Sequence, residues 1–192
     1  MILFNSRIYA SGAYDNGSSN GKGIIGFDIT WNPLNYFPKG QSYLVMSYGF
    51  TEKLDFHGYY SYSAKENDNY YIGIFYQYFD NKYLDIATAV GIRQYIPKSD
   101  KHIFIPQFLY TLHLFRGIRI GGSIVGIRKI DNISNLLGKA FDVALIIPII
   151  KKNPKEKGLN TIDFCLGAFR PALWVPKTDF HPVFSIDFKY KL

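Results

Sequence analysis

The chain has 192 residues and carries 22 Lys and Arg against 15 Asp and Glu, for a formal charge of +7. That length points to one domain, residues 1–192, and the lysines sit in turns rather than along one face, so the basic stripe of a nucleic-acid binder is absent. A single cysteine, Cys165, rules out an internal disulfide, and the longest apolar run, Val143 to Ile150, is short and broken by Pro148, which excludes a transmembrane helix.

No segment carries a helical period. Alternating apolar and polar residues instead recur about every 15 residues between clusters of Gly, Asn, Asp, Pro and Lys. In chain order, the alternation predicts strands over 5–14, 23–31, 42–50, 54–63, 70–79, 82–96, 102–115, 117–127, 140–150, 159–169 and 182–192. The clearest apolar faces are Ile25/Phe27/Ile29/Trp31, Leu44/Met46/Tyr48/Phe50, Leu84/Ile86/Thr88/Val90/Ile92 and Phe141/Val143/Leu145/Ile147. Pro106 and Pro148 fall within these runs and each removes a ladder hydrogen bond; both are expected near strand ends.

The connections alternate in length. Thr51-Glu52-Lys53, Asp80-Asn81 and Arg116-Gly117 are tight, whereas 32–41, 64–69, 97–101, 128–139 and 170–181 are long, with 151–158 an exception to the trend. Short turns at one end and long loops at the other describe an up-and-down barrel in a bacterial outer membrane.

The final strand is the strongest signal. Phe184, Ile186, Phe188, Tyr190 and Leu192 share one face, and Ser185, Asp187, Lys189 and Lys191 share the other. This ending resembles the C-terminal assembly signal of outer-membrane β-barrel proteins, with Leu192 standing where Phe is common. The resemblance implies insertion by the barrel assembly machinery through Phe184–Leu192 and a periplasmic C-terminus. Tyr48-Gly49-Phe50-Thr51-Glu52-Lys53-Leu54-Asp55-Phe56 resembles a hairpin recurrent in the same class of proteins, although it covers under a tenth of the chain.

The fold expected is therefore all-β: an antiparallel up-and-down transmembrane barrel of 10–12 strands. Such barrels have an even strand count, and eleven runs are visible. Twelve is favoured, with a first strand and an export signal missing upstream, since Met1-Ile2-Leu3-Phe4 is too short to be a signal peptide. Ten follows if one run is not a strand.

Placing all strands in one register sends Asp28, Asp55, Asp85, Arg119, Asp163 and Asp187 into the lumen near the tight turns, with Arg93, His57 and His113 nearer mid-strand. Rings of charge can filter solutes, but a salt-bridged network can equally fill a small barrel. Outward aromatics near strand ends, Trp31, Tyr48, Phe50, Tyr60, Tyr62, Tyr76, Tyr78, Phe188 and Tyr190, suit interfacial girdles.

The expected function is thus a passive pore for small polar solutes, or a plugged barrel, in the outer membrane. Its expected partners are outer-membrane lipid and lipopolysaccharide, the latter at long basic loops such as 128–139 and 170–181. No cofactor, metal site or nucleic acid is expected. Two other readings compete. A soluble barrel holding a small apolar ligand would turn its apolar face inward. A lipid-modifying enzyme would draw on His102 with Asp100, or His181 with Asp179, though no Gly-x-Ser-x-Gly occurs.

Overall fold

The computed structural model describes residues 15–32, 41–62, 69–94, 102–153, 155–170 and 180–192. Ten strands follow one another: β1 (Ile24–Asn32), β2 (Gln41–Gly49), β3 (Leu54–Tyr62), β4 (Asn69–Asp80), β5 (Leu84–Gln94), β6 (His102–His113), β7 (Arg119–Lys129), β8 (Leu136–Lys151), β9 (Gly158–Arg170) and β10 (His181–Lys191). Each pairs antiparallel with its chain neighbours, and β1 pairs with β10 to close the ring.

The closing ladder runs from Ile24 opposite Lys191 to Trp31 opposite Phe184 and leaves no gap for another strand. The favoured count of twelve is therefore corrected to ten. The run over 5–14, which had made the tally odd, lies outside the described residues. With ten strands, β1 starts and β10 ends at the same rim, and the parity rule is met without an upstream strand.

Side-chain chemistry defines the turns. Phe50 N donates to Leu54 O, and Thr51 Oγ1 accepts from the backbone N–H groups of Lys53 and Leu54 at 3.1 and 2.9 Å. Asn81 Oδ1 does the same for Tyr83 and Leu84 at 2.8 and 2.9 Å. Such short polar side chains bond their own backbone and stabilise a tight reversal. In the β6–β7 turn Arg116 (φ 56°) and Gly117 (φ 80°) are both left-handed and Ile118 N donates to Phe115 O, the primed geometry that matches strand twist. These turns, with the 152–157 link, form one rim, called here the turn end.

Both prolines locally open the sheet. Pro106 is the fifth of the twelve residues in β6, so it lies inside the strand and not near its end as expected; the β6–β7 register skips Ile105 and Pro106. Pro148 coincides with a register shift between β8 and β9. In each case a missing donor prevents continuous pairing.

The alternation sorts the faces. Ile29, Trp31, Leu44, Met46, Ile72, Ile74, Val90, Ile124, Leu166 and Ile186 are exposed outside the wall, whereas Asp55, Asp85, Asp163 and Asp187 are buried inside it. The interior is not uniformly polar, however. Its loop-side half is lined by Ile103, Ile105, Val125, Ile127, Phe169 and Val183, all buried. Tyr71 stacks on Tyr59 with ring centroids 5.4 Å apart, and Tyr43 meets Tyr59 edge-on at 5.5 Å. The Tyr71 ring lies across the wall at Gly91, where an added Cβ would come within 2.5 Å of it. Gly at this register position leaves room for a large ring to fill the lumen.

Candidate functional site

The turn-side half of the interior is the polar half. Asp28, Asp55, Asp163, Asp187, Arg119, Lys189 and His57 line a partly open chamber of about 70 Å³, joined there by Asp15 from outside the strands. Five carboxylates thus face two cations around a space that holds a handful of waters.

Specific pairs divide this charge. Arg119 Nη2 lies 2.5 Å from Asp163 Oδ2. His113 Nε2 lies 2.9 Å from Asp85 Oδ2. Asp187 accepts from Ser185 Oγ and, at 3.0 Å, from Cys165 Sγ. His57 Nε2 and the Tyr71 hydroxyl are 2.9 Å apart, and Gln107 Nε2 donates to the same hydroxyl at 3.2 Å. Buried charge in a low-dielectric wall needs partners or water of this kind.

A second feature of this half is a strap. Residues 15–20 run inside the ring instead of in its wall, and 21–23 lead over the rim into β1. Asn20 N donates to Asp55 Oδ2 at 2.7 Å and Asn20 Nδ2 to Ser47 Oγ at 2.7 Å. Ser19 N donates to Gln77 Oε1 at 2.7 Å, Ser18 Oγ to Asp85 Oδ2 at 2.5 Å, and Gly17 N to Thr111 Oγ1 at 2.9 Å. The Asp15 backbone N–H reaches the Asp142 carboxylate. The strap therefore steps round the inner wall from β2 and β3 through β4, β5 and β6 to β8. Lys189 Nζ, from β10, donates to Ser19 O at 3.4 Å. Gly17 lies hard against the wall: an added Cβ would sit 2.7 Å from Tyr110 Cα.

The structure brings together most of the expected belt. Asp28, Asp55, His57, Arg119, Asp163 and Asp187 line the chamber, and Asp85 and His113 line an open vestibule of about 390 Å³ at the turn end, beside Ser18. Arg93 stands apart. It is buried near the loop end, in register with Tyr71 and Ile103, on the apolar side of the interior. His113 is the last residue of β6, at the turn end, and so is not mid-strand as expected.

Other members were missed. Lys189 and Asp142 both alternate with outward apolar neighbours, so the signal for them was present. Ser123 N and Oγ donate to Asp142, the N–H at 2.9 Å. The strap carried no such signal, since its partners are 27 to 170 residues away.

Of the outward aromatics, Phe50, Tyr76, Tyr78 and Tyr190 are exposed at the turn end, with Tyr48 and Phe188 half-buried beside them. Trp31 and Tyr60 are exposed toward the loop end. The Tyr62 side chain lies outside the described residues, as do Asp100 and Asp179. His102 Nε2 is 2.7 Å from the Tyr70 hydroxyl.

The Ser18–Asp85–His113 cluster resembles the parts of a hydrolase but has the wrong order. Serine and histidine both bond Asp85 Oδ2, and among the described residues no hydrogen bond joins the imidazole to the serine oxygen. Acyl transfer needs the base on the nucleophile and the carboxylate behind the base.

Fold and site together define a closed ten-stranded antiparallel β-barrel whose turn-side interior is charged and crossed by the strap. No protein-family model matches the chain, and no curated protein is similar to it.

Proposed function

We propose that this chain is a bacterial outer-membrane β-barrel whose lumen is closed by its own residues, so that it is a plugged barrel and not an open diffusion pore. One observation carries the reading: large apolar side chains point outward around the wall, from Ile29 (57% exposed) on β1 to Ile186 (41%) on β10, while ionisable groups point inward. In water this outside would be a continuous apolar surface far beyond the patch size a soluble monomer presents. Against hydrocarbon it is the favourable arrangement, and exposed rings toward both rims suit the interfaces.

The soluble ligand-carrier reading requires the opposite orientation, with apolar groups lining a cavity. Among the described residues, the most apolar part of the interior is already occupied by packed side chains such as Phe169 and Ile127. Passage of solutes is opposed by the strap and by that packed half. Phe184–Leu192, all but its last residue in β10, is the segment offered to the assembly machinery. The loop end, with Arg128, Lys129, Lys139 and Arg170, is the side that meets lipopolysaccharide.

Membrane fractionation with a heat-modifiability gel tests the reading. A barrel in the outer membrane sediments with it and shifts mobility on boiling in SDS. Recovery in the soluble fraction with no shift would return the soluble carrier. Planar-bilayer recording tests the closed lumen: stable open conductance from the intact chain would make it a pore.

A further inference from the structure

Charge is unevenly spread round the turn-end rim. The adjoining β6–β7 and β8–β9 turns expose Arg116, Lys151, Lys152, Lys155 and Lys157 with one acid, Glu156. The rest of that rim exposes Lys22, Lys53 and Lys82 against Glu52 and Asp80, nearly balanced. The two basic turns touch: a Cβ at Gly117 would lie 3.3 Å from Pro148 Cγ and 3.7 Å from Lys151 Nζ. Among the described residues, no ion pair joins any of the five cations to an acid.

The β8–β9 turn is ordered by its own bonds. Lys152 N donates to Asn160 O at 2.8 Å, Glu156 N to Asn153 O at 3.1 Å, and Lys155 N to Asn153 Oδ1 at 3.0 Å. These bonds hold Lys152, Asn153, Lys155 and Glu156, the described residues among which the cations project. Immediately beside the cations, Phe115 (70% exposed), Ile149 (62%) and Leu114 face outward. Greasy groups on the wall with cations just beyond them match an acyl chain and the phosphate at its head. A crowd of unpaired cations at an interface attracts anionic lipid, each worth up to about 1 kcal/mol of attraction near a charged surface.

We infer that the β6–β7 and β8–β9 turns form a binding surface for the head groups of anionic phospholipid in the leaflet at the turn end. The inference rests on the membrane reading above. It concerns the end opposite the loops, and it localises the preference to one arc of the rim.

The test is spin-label electron resonance on the full chain reconstituted in phosphatidylcholine, with spin-labelled phosphatidylglycerol or phosphatidylcholine as probe. The wild type is expected to show a motionally restricted lipid component, with about fivefold preference for phosphatidylglycerol that falls as salt is raised. Changing Arg116, Lys151, Lys152, Lys155 and Lys157 together to Gln should abolish the preference, while Lys22, Lys53 and Lys82 to Gln should retain it. Equal preference for both lipids, loss in both variants, or insensitivity of the wild type to salt would overturn the inference and leave the membrane reading standing. Where the five-site variant does not fold, Lys152→Gln with Lys155→Gln and Lys157→Gln is read instead: it should weaken the preference, and an unchanged preference would overturn the inference. Absence of any restricted component with either probe would remove the membrane reading, and this inference with it.

Discussion

Arg119 on β7 reaches over β8 to place Nη2 2.5 Å from Asp163 Oδ2 on β9, and both side chains are largely shielded from solvent. The pair ties two non-neighbouring strands across the interior, at the one place where a guanidinium stands among the chamber's carboxylates.

Removing one partner strands the other charge. Arg119→Ala is expected to lower unfolding free energy by about 3 kcal/mol, measured by urea titration in lipid or detergent. The double change Arg119→Met with Asp163→Leu should cost less than either charge-stranding single change. A double variant as unstable as the sum of the singles would show that the two side chains do not act as a pair.

Seating of the strap depends on Gly17, where a side chain would collide with the Tyr110 backbone. Gly17→Val should lift residues 16–20 off Asp85, Gln77 and Asp55 without disturbing the ten-stranded wall. Limited proteolysis would then cut the strap faster, while the mobility shift on boiling persists. Unchanged cleavage would mean that the strap is not held by this contact.

Orientation makes a prediction on the outer face. Leu166, mid-way along β9 and 45% exposed, would meet the bilayer core. Leu166→Arg should reduce folding free energy into lipid vesicles by about 2–4 kcal/mol, as for a midplane cation. If the outside of the barrel faced water, the same change would be nearly neutral, and the membrane reading would fail on that result.

Thr51 supports the β2–β3 turn with one oxygen that accepts two backbone N–H groups. Thr51→Val keeps the shape and deletes the acceptor, so it should cost about 1 kcal/mol, whereas Thr51→Ser should be close to neutral. Urea midpoints of the two variants separate the hydroxyl's contribution from that of side-chain volume.

The sequence by itself determined the wall. Alternation is a local property with a period of two, and all ten strands lie where it runs, with an apolar face turned outward. Thr51, Asn81 and Arg116-Gly117 marked their turns by equally local chemistry. Inward placement of Asp28, Asp55, Asp85, Asp163, Asp187 and Arg119 followed from the same parity. Tertiary structure alone decided what parity cannot encode. Closure of β1 on β10 is a pairing between residues 24–31 and 184–191, and it fixed the count at ten. The strap, written as Asn16-Gly17-Ser18-Ser19-Asn20, looks like an ordinary turn until the folded ring presents Ser47, Asp55, Gln77, Asp85 and Thr111 to it. Likewise, which half of the interior is charged and which is filled by Tyr71, Phe169 and Ile127 depends on how strands of unequal length are staggered. Hydrogen bonds and packing between residues so far apart in the chain leave no periodic trace along it.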